Sequence, residues 1–410
     1  MENEKLRQTL EKNKQNYIDY LLKLASIDTH DIGHGIEGGL EAKGQDFMAE
    51  LFASMGAEKV EKDPLNEESI LKCKEKYREG NTGHNYENRY NVYASFCVKS
   101  KKSILFNGHI DHMPAENEEH WSIPPLSPQV IDGKITGLGV ADMKAGLMAS
   151  VMATKLLKDA GIELPVTVKY ASVCDEEGGG NGSLCAAMLA AHMGWVFFQV
   201  EVEGIAVHSG LKLSGVNAIE KAGKLMEAID ELEHRWLLKY KHPLLPPPSS
   251  NVGVIYGGEA GSTIPDYCCF KTCVHYLPGV MSHEQVVEEY TNAILKRCEG
   301  DEWLSGHKPK ITIYQTGNPF EMDLDHPFVG AFKQAYRNAV GREVTIAGSP
   351  AGCDSRTWRN IVKCPTLQYG PGSLEQCHTV DEYVTEEQYL DAIQIYANLI
   401  LEWAKVCIEN

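Results

Sequence analysis

Apolar residues recur three and four positions apart over residues 6–26 and again over 40–55, the spacing of helices that bury one stripe against a core. Beyond them the period shortens. Residues 89–98 and 103–107 read as strands, 143–159 as a helix and 165–173 as a further strand. Apolar strands interleaved with helices make an α/β layer structure, in which ligands collect beyond the carboxyl ends of the strands. From Trp195 the order becomes strand (195–203), helix (216–240), two strands (251–256 and 267–276), helix (282–298) and strand (310–315), the βαββαβ order of a ferredoxin-like unit. The proline-rich stretch 243–250 lies inside that unit as a stiff connection. The first pattern then returns, with a helix over 328–340, a loop over 347–356, a strand over 366–369 and a closing helix over 386–406. The predicted fold is therefore α/β. A discontinuous domain with a central mixed sheet between helices is formed by residues 1–193 and 317–410, and a ferredoxin-like domain is inserted over 194–316.

With 410 residues, 43% of them hydrophobic, the chain can bury two separate cores. A formal net charge of −18 at pH 7 repels nucleic acid and anionic lipid, so neither is an expected partner. A cationic metal or a local basic pocket could still receive an anionic substrate, and bulk charge does not name the ligand. No apolar run reaches the length of about 18 residues that a membrane helix needs. Residues 1–16 are charged and lack an apolar signal segment, so a cytoplasmic location is expected. Twelve cysteines are dispersed without a C-x-x-C pair and read as small buried hydrophobes.

Four stretches place metal-ligand residue types where strands run out: G-H-I-D at 108–111, V-A-D-M-K at 140–144, C-D-E-E-G at 174–178 and C-H-T at 377–379. His109 and Asp111, two apart in extended backbone, share a face, and a carboxylate there can accept the other N–H of a ligating imidazole. The same spacing also fits a strand-end turn with a hydrogen-bonded histidine. Asp142 stands before a helix, where it is either an N-cap or a two-oxygen bridge between two metal ions. Glu176 and Glu177 adjoin ahead of Gly178, so that one could bind metal while the other moves a proton; adjacent acids otherwise simply face solvent. His378 supplies a second imidazole.

Together these residues resemble the family of acetylornithine deacetylases, succinyl-diaminopimelate desuccinylases and related dizinc carboxypeptidases. The likeness runs from about Asn91 to Val384 through G-H-I-D-H-M-P, G-L-G-V-A-D-M-K-A-G, C-D-E-E-G-G-G, V-H-S-G and G-P-G followed by C-H-T-V-D-E-Y. The resemblance implies hydrolysis of the amide or peptide bond of an N-acyl amino acid or short peptide with a free carboxylate. It implies His109 and His378 as terminal ligands of two metals, Asp142 as their bridge, Glu177 as a ligand beside His378, Asp111 as the group that orients His109, and Glu176 as general base. His208, in V-H-S-G, would reach across a homodimer formed by the inserted lid domain and hold the oxyanion. Arg356 would grip the substrate carboxylate, a role that competes with a plain ion pair. A ligand set of oxygens and nitrogens suits zinc, with cobalt and manganese also admissible.

Members of that family carry a further strand between the paired glutamates and the lid, ending in an E-P-T-like segment that completes the metal site of the first histidine. Here Glu177 and His208 stand only 31 positions apart, and a helix over 181–192 and the first lid strand fill the interval. The expectation divides three ways. One cation could sit on Asp142, Glu177 and His378; two could bind with a substitute ligand, Asp175 or His192 being nearest; or the chain could be an impaired homologue that serves as a binding or dimeric scaffold.

Overall fold

The computed structural model describes residues 2–32, 36–77, 79–115, 117–186, 193–361 and 363–407. Its central sheet runs Lys59–Pro64, Tyr90–Phe96, Thr167–Val173, Ser103–His109 from edge to edge. The first two contacts are antiparallel and the last is parallel, so the sheet is mixed. In the parallel pair, His109 lies opposite Val173, which ends both strands at one level and releases both following loops on the same side. That shared end is where G-H-I-D and C-D-E-E-G emerge.

Helices Glu2–Ala25, Ala145–Asp159 and Glu386–Lys405 contribute to one large apolar core with this sheet. The central helix is buried without a break from Ala145 to Thr154. Its sequence A-G-L-M-A-S-V-M-A-T alternates small and medium side chains, which lets a sheet and a second helix approach it at once. The last helix opens with a capping box: the Thr385 hydroxyl accepts from the Gln388 N–H while the Gln388 side chain accepts from the Thr385 N–H. A three-stranded sheet of Gln129–Ile131, Lys134–Thr136 and Tyr383–Thr385 ties the segment after His378 to the loop before Asp142.

A second sheet, antiparallel throughout, runs Ser249–Gly257, Tyr267–Tyr276, Gly194–Glu203, Lys310–Gly317. Helices Ala218–Lys239 and His283–Glu299 pack on it around Phe198, Phe270, Tyr290 and Trp236, a core that shares no residue with the first. Phe198 and Tyr290 stack with ring centroids 3.8 Å apart. Both helices start at side-chain caps, Asn217 and Ser282. No described helix is long and apolar enough to cross a membrane.

Two sequence expectations change. Residues 363–370 contain neither strand nor helix, so the strand over 366–369 is not formed. The Ser103–His109 strand lies at the edge of its sheet, and among the described residues nothing pairs with its outer side. Leu367 and Tyr369 instead spend their apolar surface against the core from a loop. The helix expected over 181–192 is helical over Asn181–Ala186, and its remainder, with His192, lies outside the described residues.

Candidate metal centre

His109 is placed by the last residue pair of the parallel strands and is 3% exposed. Its Nδ1–H donates to the main-chain oxygen of Asp111 at 2.9 Å, which fixes the ring and turns Nε2 toward Asp142 Oδ1 at 3.1 Å and Glu176 Oε2 at 3.8 Å. Burial opposes a charge on this ring, yet the surrounding carboxylates of Glu176, Asp142 and Asp111 carry its pKa well above the usual histidine value. The ring sits where a cation is wanted.

Asp111 therefore orients His109 through its carbonyl, not through its carboxylate, whose Oδ1 lies 3.7 Å from Nδ1. The carboxylate's other oxygen accepts from the backbone N–H of both Glu176 and Glu177 at 2.9 Å, fixing the paired acids against the end of the neighbouring strand. Asp175 points the other way, into a buried network with His84, Arg89, Asp31 and Glu41. It is committed there and does not serve as a substitute ligand.

Asp142 lies in an irregular turn, Val140–Lys144, ahead of the buried helix. Glu382 holds that turn by accepting from the N–H groups of Gly139 (2.9 Å), Ala141 (2.6 Å) and Asp142 (3.1 Å). Burial raises the Glu382 carboxyl to about 7 against the pull of those donors. Sequence reading passed over this residue, although it closes the C-H-T-V-D-E motif five positions after Cys377. His378, at φ 58°, faces Glu177 Oε1 at 3.2 Å and Asp142 Oδ2 at 3.7 Å. The hydrogen bond to Glu177 raises its pKa to about 9.

The four residues named from sequence thus converge. One ligand atom from each of His109, Asp142 and Glu177 lies within 4.8 Å of the others, and the two oxygens of Asp142 face different imidazoles. The nitrogen and oxygen donors of His109, Asp142 and Glu177, with His378 beside Glu177, are of the types that fit a divalent metal. Glu176 stands beside them, its carboxyl pushed well up by burial and by Asp354, Glu177 and Asp142, against the pull of His109.

Two other expected residues do not join the cluster. Arg356 is 1% exposed: Nε donates to Glu79 Oε2 at 2.7 Å, Nη1 to the Cys353 carbonyl and Nη2 to the Gly179 carbonyl, while its guanidinium lies over the Trp195 ring at 4.4 Å. A guanidinium so occupied is not presented to a substrate carboxylate, and the ion-pair alternative describes it better. His208 is exposed on the second unit, where its Nδ1 accepts from the Gly210 N–H, and it does not join the cluster within this chain.

Residues 105–402 match the sequence pattern that defines peptidase family M20/M25/M40. An N-formyl-4-amino-5-aminomethyl-2-methylpyrimidine deformylase from Halalkalibacterium halodurans is 30% identical over 359 residues, covering 78% of this chain and 84% of that protein. An acetylornithine deacetylase from Vibrio campbellii is 27% identical over 321 residues, covering 73% of this chain and 81% of that protein. In fold, the di-peptidase Dug1p from Saccharomyces cerevisiae superimposes with a TM-score of 0.76 over 98% of this chain and 99% of that one, at 15% identity.

Proposed function

This chain belongs to peptidase family M20/M25/M40, a family of metal-dependent hydrolases, and from that premise we propose that it cleaves the amide bond of a small N-acyl compound. The observation that carries this reading is Asp142, whose two carboxylate oxygens face His109 (3.1 Å) and His378 (3.7 Å). His109, Asp142, Glu177 and His378 would hold the metal, zinc by preference, with cobalt or manganese able to use the same donors. A divalent cation there supplies positive charge that polarises an amide carbonyl and acidifies water.

The protein's own groups complete the chemistry. Glu176 takes a proton from the attacking water and delivers it to the amine nitrogen as the C–N bond breaks, releasing a carboxylic acid and an amine. Burial, with the carboxylates of Asp354, Glu177 and Asp142 around it, favours the protonated form of Glu176, the direction that lets a carboxylate accept a proton from water. Asp111 keeps Glu176 and Glu177 in place through their backbone N–H groups.

The size of the acyl group follows the relatives, which are named a deformylase and a deacetylase. With Arg356 tied to Glu79, the free carboxylate expected of the substrate loses its proposed anchor, so formyl and acetyl amides with or without a carboxylate are the class to test. The unit over 194–316 is proposed as a lid that also dimerises, in a cytoplasmic protein. Support comes from its outer strand Ser249–Gly257, exposed along most of its length and carrying Val254, Ile255 and Tyr256, a surface suited to a second copy. Across such a dimer, His208 would donate to the developing oxyanion.

The test is Glu176→Gln with metal content measured alongside activity. Turnover of N-formyl and N-acetyl amides should fall by roughly 100-fold or more, with the metal per chain unchanged. Activity close to wild type in that variant rules out the role given to Glu176. Chelator-insensitive protein that contains no metal and turns over none of these amides would favour the scaffold reading instead.

A further inference from the structure

The loop that carries Glu176 and Glu177 is held from two sides. On the side of the centre, Asp111 Oδ2 accepts from the N–H groups of both glutamates at 2.9 Å. On the other side stands Arg89, 1% exposed, just before the strand Tyr90–Phe96. That strand pairs antiparallel with Thr167–Val173, Val92 opposite Ser172. Continuing the register outward brings Arg89 opposite Asp175, the residue ahead of the glutamates.

Side chains make the contact. Arg89 Nη2 lies 3.1 Å from Asp175 Oδ1, and His84 Nδ1 lies 3.1 Å from Asp175 Oδ2. Asp175 is fully buried, as are Asp31 and Glu41, which share the same guanidinium. A planar fork suits that sharing: Nε faces the two oxygens of Glu41 at 3.0 and 3.1 Å, Nη2 reaches Asp31 and Asp175, and Nη1 donates to the Asn85 carbonyl at 3.4 Å. Asp175 itself adopts φ 61°, a left-handed conformation that favours glycine and persists in other residues where their surroundings hold it. Its carbonyl closes the turn by accepting from the N–H groups of Gly180 (2.9 Å) and Asn181 (3.2 Å). The chain therefore reverses directly after the strand, sending the Asp175 carboxylate to Arg89 and those of Glu176 and Glu177 toward His109 and His378.

We propose that Arg89 is a positioning residue for the paired glutamates, acting through Asp175: its ion pair fixes the left-handed turn that aims Glu176 at the reacting water and Glu177 at the metal. This role rests on the metal-centre reading above and adds to it a residue too buried to meet a substrate. A lysine in its place keeps the charge but offers one point where the guanidinium offers a fork. Groups that orient a metal's ligands from behind typically matter by roughly 10- to 100-fold in affinity or activity.

Arg89→Lys, Asp175→Asn and the double variant, each stripped with chelator, are titrated with zinc and then assayed at saturating zinc, with unfolding followed on the same samples. Each single variant should bind zinc roughly 10-fold more weakly and lose roughly 10-fold or more in kcat at an unchanged KM. The double variant should match the weaker single one, because both changes break one contact. Lowered unfolding midpoints with wild-type zinc affinity and kcat would make Arg89 a purely structural residue and overturn the role. Losses that multiply in the double variant would show that Arg89 does not act through Asp175, and overturn it too. If Arg89→Lys fails to fold, Asp175→Asn alone decides by the same zinc affinity and kcat. Wild-type protein that binds zinc but releases no amine defeats the hydrolase reading and leaves the zinc affinities to judge Arg89, whereas wild type that binds no zinc defeats both.

Discussion

At the scale of single residues, the centre depends on which atom of each side chain is already in use. His109 has Nδ1 tied to a carbonyl and so presents Nε2, while Asp111 uses its carbonyl for the ring and its carboxylate for two backbone N–H groups. The pairing of H-x-D was readable in the chain; the division of labour between the two acceptors of one aspartate was not, because it depends on a turn that spacing does not specify. Arg356 teaches the complementary lesson. Its position in A-G-C-D-S-R suggested a substrate contact, whereas burial beside Glu79 makes it part of the scaffold. Replacing Arg356 with Met leaves the Glu79 carboxylate buried without its cation, and stability should drop by about 3 kcal/mol. Denaturant unfolding checks this; a variant of normal stability whose KM alone rises would return Arg356 to the substrate site.

At the scale of elements, strands bearing the motifs were recognisable because their apolar residues are local, and Tyr267–Tyr276 and the parallel pair ending at His109 and Val173 fall where the pattern put them. Thr366 to Tyr369 shows why pattern is insufficient. The segment is apolar, but a strand also needs a neighbour for its backbone, and the outer side of Ser103–His109 is not joined to it. The short sheet of Gln129–Ile131, Lys134–Thr136 and Tyr383–Thr385 was missed for the opposite reason, since strands of three residues leave almost no period to read. That sheet matters because it delivers Glu382 to the turn of Asp142. Glu382→Gln exchanges an acceptor for a donor facing main-chain N–H groups. Metal affinity should weaken by roughly 10- to 100-fold, read by zinc titration, while the melting transition stays cooperative; unchanged affinity would show that the turn holds its shape unaided.

At the scale of the whole molecule, two separately packed cores carry different parts of the account. The mixed sheet and its helices bring together ligands that are distant in sequence, from His109 to His378, whereas the second unit contributes His208 and an exposed strand edge. A net charge of −18 makes the cluster still more hospitable to cations and does nothing to select an amide. On the proposed reading, a bound metal and Glu176 would supply the chemistry, and selection of the amide is left to the side chains around them. The most direct measurement is amine release from N-formyl and N-acetyl substrates by protein stripped with chelator and then resupplied with zinc. The account predicts that stripped protein is inactive and that zinc restores turnover; release of amine at the same rate in both states would contradict it.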